Sequence, residues 1–204
     1  DDDVARHLAE YMDGTDVPRA VDLGVDVAEH LPFGRRLEAR VARSNIARMA
    51  RQFIVGSTTE EAVQGVADLW DRGVAATVDL LGEKTIVAAE ADRYQARVLE
   101  VLEALAAAAP GWAPNPVLDA DDLGPRPRVN VSVKPTALAP HLAPLTRAAG
   151  LAALGERLGA IVRRAGELGA TVHVDMEHAD VKDLTLDAFR DLAVDGELAD
   201  VDLG

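Results

Sequence analysis

Residues 128–138, R-V-N-V-S-V-K-P-T-A-L, constrain this chain more than any other stretch. Val129, Val131 and Val133 alternate with Asn130 and Ser132, the period-two pattern of a β-strand, and a lone lysine stands where the strand must stop. Pro135 enforces the stop, because it has no N–H for a sheet ladder and biases the residue before it toward extended geometry. Lys134 is therefore expected at the carboxyl end of a strand, where α/β proteins place their chemistry.

Two other segments have the same form. Residues 74–83 (V-A-A-T-V-D-L-L-G-E) and 170–178 (A-T-V-H-V-D-M-E-H) are Val/Thr-rich runs that reach an aspartate. Asp79, Lys134 and Asp175 are thus expected as strand-end charges on one rim of a sheet. His173 lies two positions before Asp175, so it points the same way but one layer deeper, as a core histidine rather than a catalytic base.

Composition bounds the function. With 49% hydrophobic residues in 204, the chain can bury a core, and a formal net charge of −14 argues against a general nucleic-acid binder. The chain has no cysteine, which excludes disulfides, thiolate metal sites and a cysteine nucleophile. No apolar run reaches the roughly 18 residues of a spanning helix and no signal peptide opens the chain, so a cytoplasmic protein is expected.

From the amino end, residues 1–12 and 19–30 read as short helices, and 35–53 as a longer one with Leu37, Val41, Ile46, Met49 and Phe53 at helical spacing. The arginines of that helix spread around it, which favours a solvated or salt-bridged face over a phosphate site. Ser57-Thr58-Thr59-Glu60-Glu61 offers two overlapping capping boxes for a helix that runs to Arg72 and stops at Gly73. Leu69 and Trp70, near its end, are read as core.

After the first strand, residues 83–108 read as a long Ala/Val/Leu-rich helix, and the proline-punctuated residues 110–127 as a surface connection. Its acidic knot, Asp119, Asp121 and Asp122, is read as solvated loop, since a calcium loop needs more ligands at fixed spacing. Residues 150–168 form the next helix, ended by Gly169; a strand at 171–175, a helix at 181–192 and a starting strand at 200–204 complete the order.

Repeated βα units require parallel strands joined by right-handed crossovers. An open doubly wound sheet should carry a glycine-rich phosphate loop after its first strand, and Asp79-Leu80-Leu81-Gly82-Glu83 is no such loop. The expected fold is α/β: a helical amino-terminal arm, residues 1–73, then the first three to four βα units of an incomplete (βα)8 barrel of the TIM type, residues 74–204.

Four segments carry a more specific resemblance. R-Q-F-I-V-G-S-T-T-E-E-A from Arg51, A-T-V-D-L-L-G-E ending at Glu83, V-N-V-S-V-K-P-T-A-L ending at Leu138 and V-H-V-D-M-E-H ending at His178 together resemble the proline dehydrogenase family, in the family's order, from about Arg43 onward. The resemblance implies a flavoenzyme that uses FAD to oxidise L-proline to 1-pyrroline-5-carboxylate, the first step from proline to glutamate. It also implies a quinone electron acceptor at the membrane surface, with peripheral attachment there, and a glutamate-semialdehyde dehydrogenase as a fused or separate partner.

Residue by residue, the resemblance makes Lys134 the partner of the proline carboxylate and Asp175 the acid beside lysine and flavin. These are the catalytic pair, with Asp175 on the cofactor side. Asp79 and Glu83 correspond to acids that pair with basic residues closing the site. The later strands and an arginine-paired helix of the family have no counterpart here, so the chain is expected to be a fragment, inactive alone and able to self-associate through an open sheet edge.

Two rivals come from other classes. A barrel-strand lysine can form a Schiff base if burial depresses its pKa, which would make the chain an aldolase using Lys134; a variant takes Asp175, Glu177 and His178 as metal ligands, although D-x-E-H alternates faces along a strand. Alternatively the helices at 35–72 are a non-catalytic interaction module with the strands as scaffold. A structural ion-pair network of Asp79, Lys134 and Asp175 is the plainest reading of all.

Overall fold

The computed structural model describes residues 54–82, 84–196, 198 and 201–204. The chain divides after Val55, and the fold described is that of the unit Gly56–Gly204. The helices expected at 1–12, 19–30 and 35–53 lie outside the described residues, as does Glu83.

The first helix, α1 (Thr59–Asp71), starts as its capping residues require. Thr58 is the N-cap and its hydroxyl accepts from Glu61 N at 3.3 Å, while the Glu61 carboxylate accepts from Ser57 N at 2.7 Å. The helix stops against Gly73, whose φ of +78° is a left-handed conformation that a side chain would resist.

A parallel sheet follows, formed by β1 (Val78–Asp79), β4 (Asn130–Val133) and β5 (Thr171–Val174) in the order β1-β4-β5. Val78 pairs with Val131 and Asp79 with Ser132; Ser132 pairs with His173 and Val133 with Val174. The crossovers carry the helices α2 (Ala88–Ala108) and α4 (Arg147–Leu168), and α5 (Lys182–Ala193) follows β5. Alternation divides the strands by face. Val131, Val133 and Val172 are fully buried in one cluster with Val98, Leu102 and Leu105 of α2 and Leu158, Ile161 and Val162 of α4. Asn130, Ser132 and the following Lys134 occupy the other face.

Beyond α5, Leu203 makes a parallel bridge to Val172, and Val174 N donates to Gly204 O at 2.8 Å. The starting strand is therefore present as a bridge. Among the described residues the sheet does not close into a barrel.

Several boundaries depart from expectation. The ladder of the first strand is confined to Val78–Asp79 rather than filling 74–83, since the neighbouring β4 spans only Asn130–Val133 and cannot pair along the whole of that segment. The following helix begins at Ala88, not at 83: Thr85 donates from its N–H (3.1 Å) and its hydroxyl (3.3 Å) to Thr136 O, and this fastens the segment to the turn after β4 instead of to a helix. Glu90 then closes the helix start by accepting from Ile86 N and Val87 N at 2.9 and 3.3 Å.

The connection 110–127 holds a small antiparallel hairpin, β2 (Ala120–Asp121) and β3 (Gly124–Pro125), rather than loop alone. The turn after Lys134 contains a short helix, α3 (Pro135–Leu138). Helix α4 starts three residues earlier than expected, at Arg147, continuing directly from a 3-10 turn over Pro144–Thr146.

Candidate functional site

The parallel sheet brings Asp79, Lys134 and Asp175 to one rim, each at or just beyond the carboxyl end of its strand. Lys134 Nζ lies 2.7 Å from both Asp79 Oδ1 and Asp79 Oδ2, and 3.0 Å from Asp175 Oδ2. The lysine side chain is the least exposed of the three, at 13%, against 44% for Asp79 and 32% for Asp175. Burial alone would lower the Lys134 pKa, but the hydrogen bonds to Asp79 and Asp175, with their charge, outweigh it and hold the pKa above the ordinary lysine range. Lys134 is an ammonium at neutral pH.

The carboxylates are fixed by their surroundings. Ser132 Oγ donates to Asp175 Oδ1, and Asp175 N donates to Val133 O at 2.9 Å. Two residues past the lysine, Thr136 Oγ1 donates to Glu177 Oε2 at 3.1 Å. Tyr94, 2% exposed, brings its hydroxyl from α2 to within 3.4 Å of Lys134 N. Its phenol is pushed up to about 12, first by burial. A cleft of about 660 Å³ is lined by Gly82, Lys84, Thr85, Ile86, Glu90, Arg93, Tyr94, Ala96 and Arg97.

Of the residues singled out in the sequence, Asp79, Lys134 and Asp175 come together, while Glu83 lies outside the described residues. His173 is half-buried on β5 beside Ser132, below the charges. Asp119 and Asp121 are engaged by arginines: Arg128 is bidentate on Asp119 at 2.7 and 3.0 Å, and Arg126 reaches Asp121 at 2.6 Å. Glu177 turns to Thr136 and Asp175 to Lys134 and Ser132, so the D-x-E-H run is not a converged ligand set. Among the described residues, no group of three or more acidic, histidine or cysteine side chains could hold a metal ion.

Sequence reasoning missed Ser132, Thr136, Thr85 and the polar end of Tyr94. For Ser132 a signal existed, since it stands two positions before Lys134 on the same strand face; Tyr94 looked like one more apolar helix position.

A parallel βα order with a lysine held between two carboxylates on the carboxyl rim defines an α/β protein of the kind that can place its chemistry at strand ends. A family model described as proline dehydrogenase matches residues 62–204, and one described as the proline utilization A N-terminal domain matches residues 1–53. The chain belongs to the proline dehydrogenase family.

Among its relatives, the bifunctional protein PutA of Klebsiella aerogenes is 27% identical over 151 residues, which is 74% of this chain and 11% of that protein. The proline dehydrogenase of Deinococcus radiodurans is 28% identical over 158 residues, 75% of this chain and 43% of that protein. A crystal structure of proline utilization A (PutA) from Bdellovibrio bacteriovorus inactivated by N-propargylglycine superposes with a TM-score of 0.77 at 36% identity, over 86% of this chain and 18% of that one. The chain thus spans about a tenth of the length of the PutA relative and less than half of the D. radiodurans protein. Among the described residues, no helix is long and apolar enough to cross a membrane.

Proposed function

We propose that this chain contributes the substrate-facing first part of a catalytic domain for the FAD-dependent oxidation of L-proline to 1-pyrroline-5-carboxylate. In this reading residues 1–73 form the helical arm, and residues 74–204 the first three to four βα units of a (βα)8 barrel. One observation carries it: a single ammonium, Lys134, lies between two carboxylates on a strand-end rim. Such a cluster presents both signs of charge, as a zwitterionic amino acid requires. Lys134 would meet the substrate carboxylate as a fixed countercharge, and the surplus acid would face the secondary ammonium. Asp79, with Glu83, would pair with basic groups that close the site.

The polar strand face suits a flavin. Asn130 Oδ1 is buried without a hydrogen-bond partner on the polar face of the sheet, so Asn130, with Asp175, would supply acceptors toward bound FAD. Bound FAD would supply the two-electron acceptor; the residues of this chain orient the substrate and set the charge around it. A quinone at the membrane surface as electron acceptor, a glutamate-semialdehyde dehydrogenase as fused or separate partner, and self-association belong to the same reading. The raised pKa of Lys134 argues against the Schiff-base aldolase, whose nucleophile needs a depressed one.

The test is to purify the protein at its natural length, record the flavin spectrum, and assay proline-dependent reduction of a dye with FAD present. Bound flavin with proline-dependent turnover is expected. No flavin and no turnover would overturn the reading.

A further inference from the structure

A carboxylate turns readily about its last side-chain bond, where the torsion is broad and two-fold. Asp175 does not have that freedom. Its Oδ1 accepts from Ser132 Oγ, its Oδ2 faces Lys134 Nζ at 3.0 Å, and its N–H is bound to Val133 O at 2.9 Å. The serine must be the donor in this pair, because an ionised carboxylate only accepts. Ser132 is 5% exposed, so bulk water does not compete for its hydroxyl, and it stands on β4 in register with Asp79 on one side and His173 on the other.

We propose that Ser132 is a positioning residue of this site: it acts through Asp175, occupying Oδ1 so that Oδ2 is aimed at Lys134 and the ammonium stays on the rim where a substrate carboxylate arrives. This inference rests on the proline dehydrogenase reading given above. Without the hydroxyl, Asp175 turns, and Lys134 relaxes toward Asp79, its bidentate partner on the more exposed side. The substrate then loses a fixed countercharge.

The experiment uses the flavin-loaded protein at natural length, with Ser132→Ala, Ser132→Thr, Asp175→Asn and the Ser132→Ala/Asp175→Asn double variant. Ser132→Ala is expected to raise the KM for L-proline roughly 10- to 100-fold with a smaller change in kcat, the scale of one lost hydrogen bond to a charged group. Ser132→Thr keeps the hydroxyl and should restore most of the KM. Since Ser132 acts through Asp175, removing its hydroxyl in the Asp175→Asn background should cost little more. An unchanged KM in Ser132→Ala, or costs that simply add in the double variant, would overturn the proposal.

If the unsubstituted protein does not oxidise proline, the functional reading fails separately. The same four proteins of the cycle then decide by their thermal unfolding midpoints: non-additive losses uphold the coupling of Ser132 to Asp175, and additive losses overturn it.

Discussion

Asp79 approaches Lys134 from a neighbouring strand with both carboxylate oxygens at 2.7 Å, although the two residues are 55 positions apart in the chain. The pairing of Asp79 with Ser132 in the parallel register produces this contact, since it leaves Lys134 two residues further toward the rim. Asp79 is 44% exposed, so the ion pair itself adds little to stability. Its effect is on where the ammonium sits and on keeping it charged.

Lys134→Met should therefore act on ligand binding more than on folding. The methionine keeps the length of the stem and removes the countercharge, a charge-assisted contact worth roughly 1.5–3 kcal/mol, which corresponds to about 10- to 100-fold in affinity. The KM for proline is expected to rise by that factor while flavin content stays near that of the unsubstituted protein. A normal KM in Lys134→Met would remove the lysine from the substrate site.

Stability should fall in alkali through two groups. The Tyr94 phenol, raised by burial from 10.0 to about 12, keeps its proton in the native state while the unfolded chain loses it. Between those two values the native state binds more protons, so stability is fully present below about pH 10 and declines as pH rises toward 12. A two-unit difference amounts to about 2–3 kcal/mol at most. Lys134 works in the same direction, because its folded-state pKa also lies above the ordinary value. Urea unfolding at a series of alkaline pH values should show this decline in the unsubstituted protein and a shallower one in Tyr94→Phe. Equal slopes for both would show that the phenol is not the cause.

The site was legible in the sequence where its signals are local. The V-N-V-S-V-K-P run encodes its own alternation and its own stop, and Gly73 and Gly169 end helices with φ of +78° and +63° because a left-handed residue is needed there. What could not be read depends on contacts between distant residues. Thr85 delays α2 by binding a carbonyl 51 positions away, and Tyr94, at a helical core position, turns its hydroxyl toward the backbone of Lys134. The hairpin in 110–127 is a different case: Asp121 accepts from Leu123 N at 2.9 Å, a local contact, and its acidic run reads as solvated loop instead.

Arg128 fastens the opposite end of β4. Its guanidinium binds Asp119 twice, donates to Ala109 O and Trp112 O at 3.0 Å each, and lies 5.1 Å from the centre of the Trp70 ring. Trp70 in turn contacts Trp112, with ring centroids 5.4 Å apart. Arg128→Ala would take a donor from Ala109 O, Trp112 O and Asp119 at once, although Ala109 O keeps Trp112 N and Asp119 keeps Asn115 N, and should lower the unfolding free energy. Arg128→Lys should recover little, because an ammonium cannot reproduce the planar fork. The measurement is the urea midpoint of each variant. Proline kinetics of the folded variants should stay close to those of the unsubstituted protein, since Lys134 is at the other end of the strand.

Gly82→Ala should disturb the site from beneath. A Cβ on Gly82 would stand 2.6 Å from Tyr94 Cε2 and 3.0 Å from Cδ2, closer than carbon atoms approach, and the Tyr94 ring is buried with little room to retreat. Either the ring shifts, carrying its hydroxyl away from Lys134 N, or the loop between Asp79 and Thr85 lifts and draws Asp79 off the lysine. Overpacking of this kind costs about 1–3 kcal/mol. Gly82→Ala is thus expected to lower the unfolding free energy and raise the KM for proline together. Combining it with Tyr94→Phe should not relieve the clash, because the offending atoms belong to the ring and not to its hydroxyl, whereas Tyr94→Leu, which removes those ring atoms, should recover part of the stability relative to Tyr94→Leu with Gly82 intact. A Gly82→Ala protein as stable as the unsubstituted one, with an unchanged KM, would show that the loop rests on Tyr94 without depending on it.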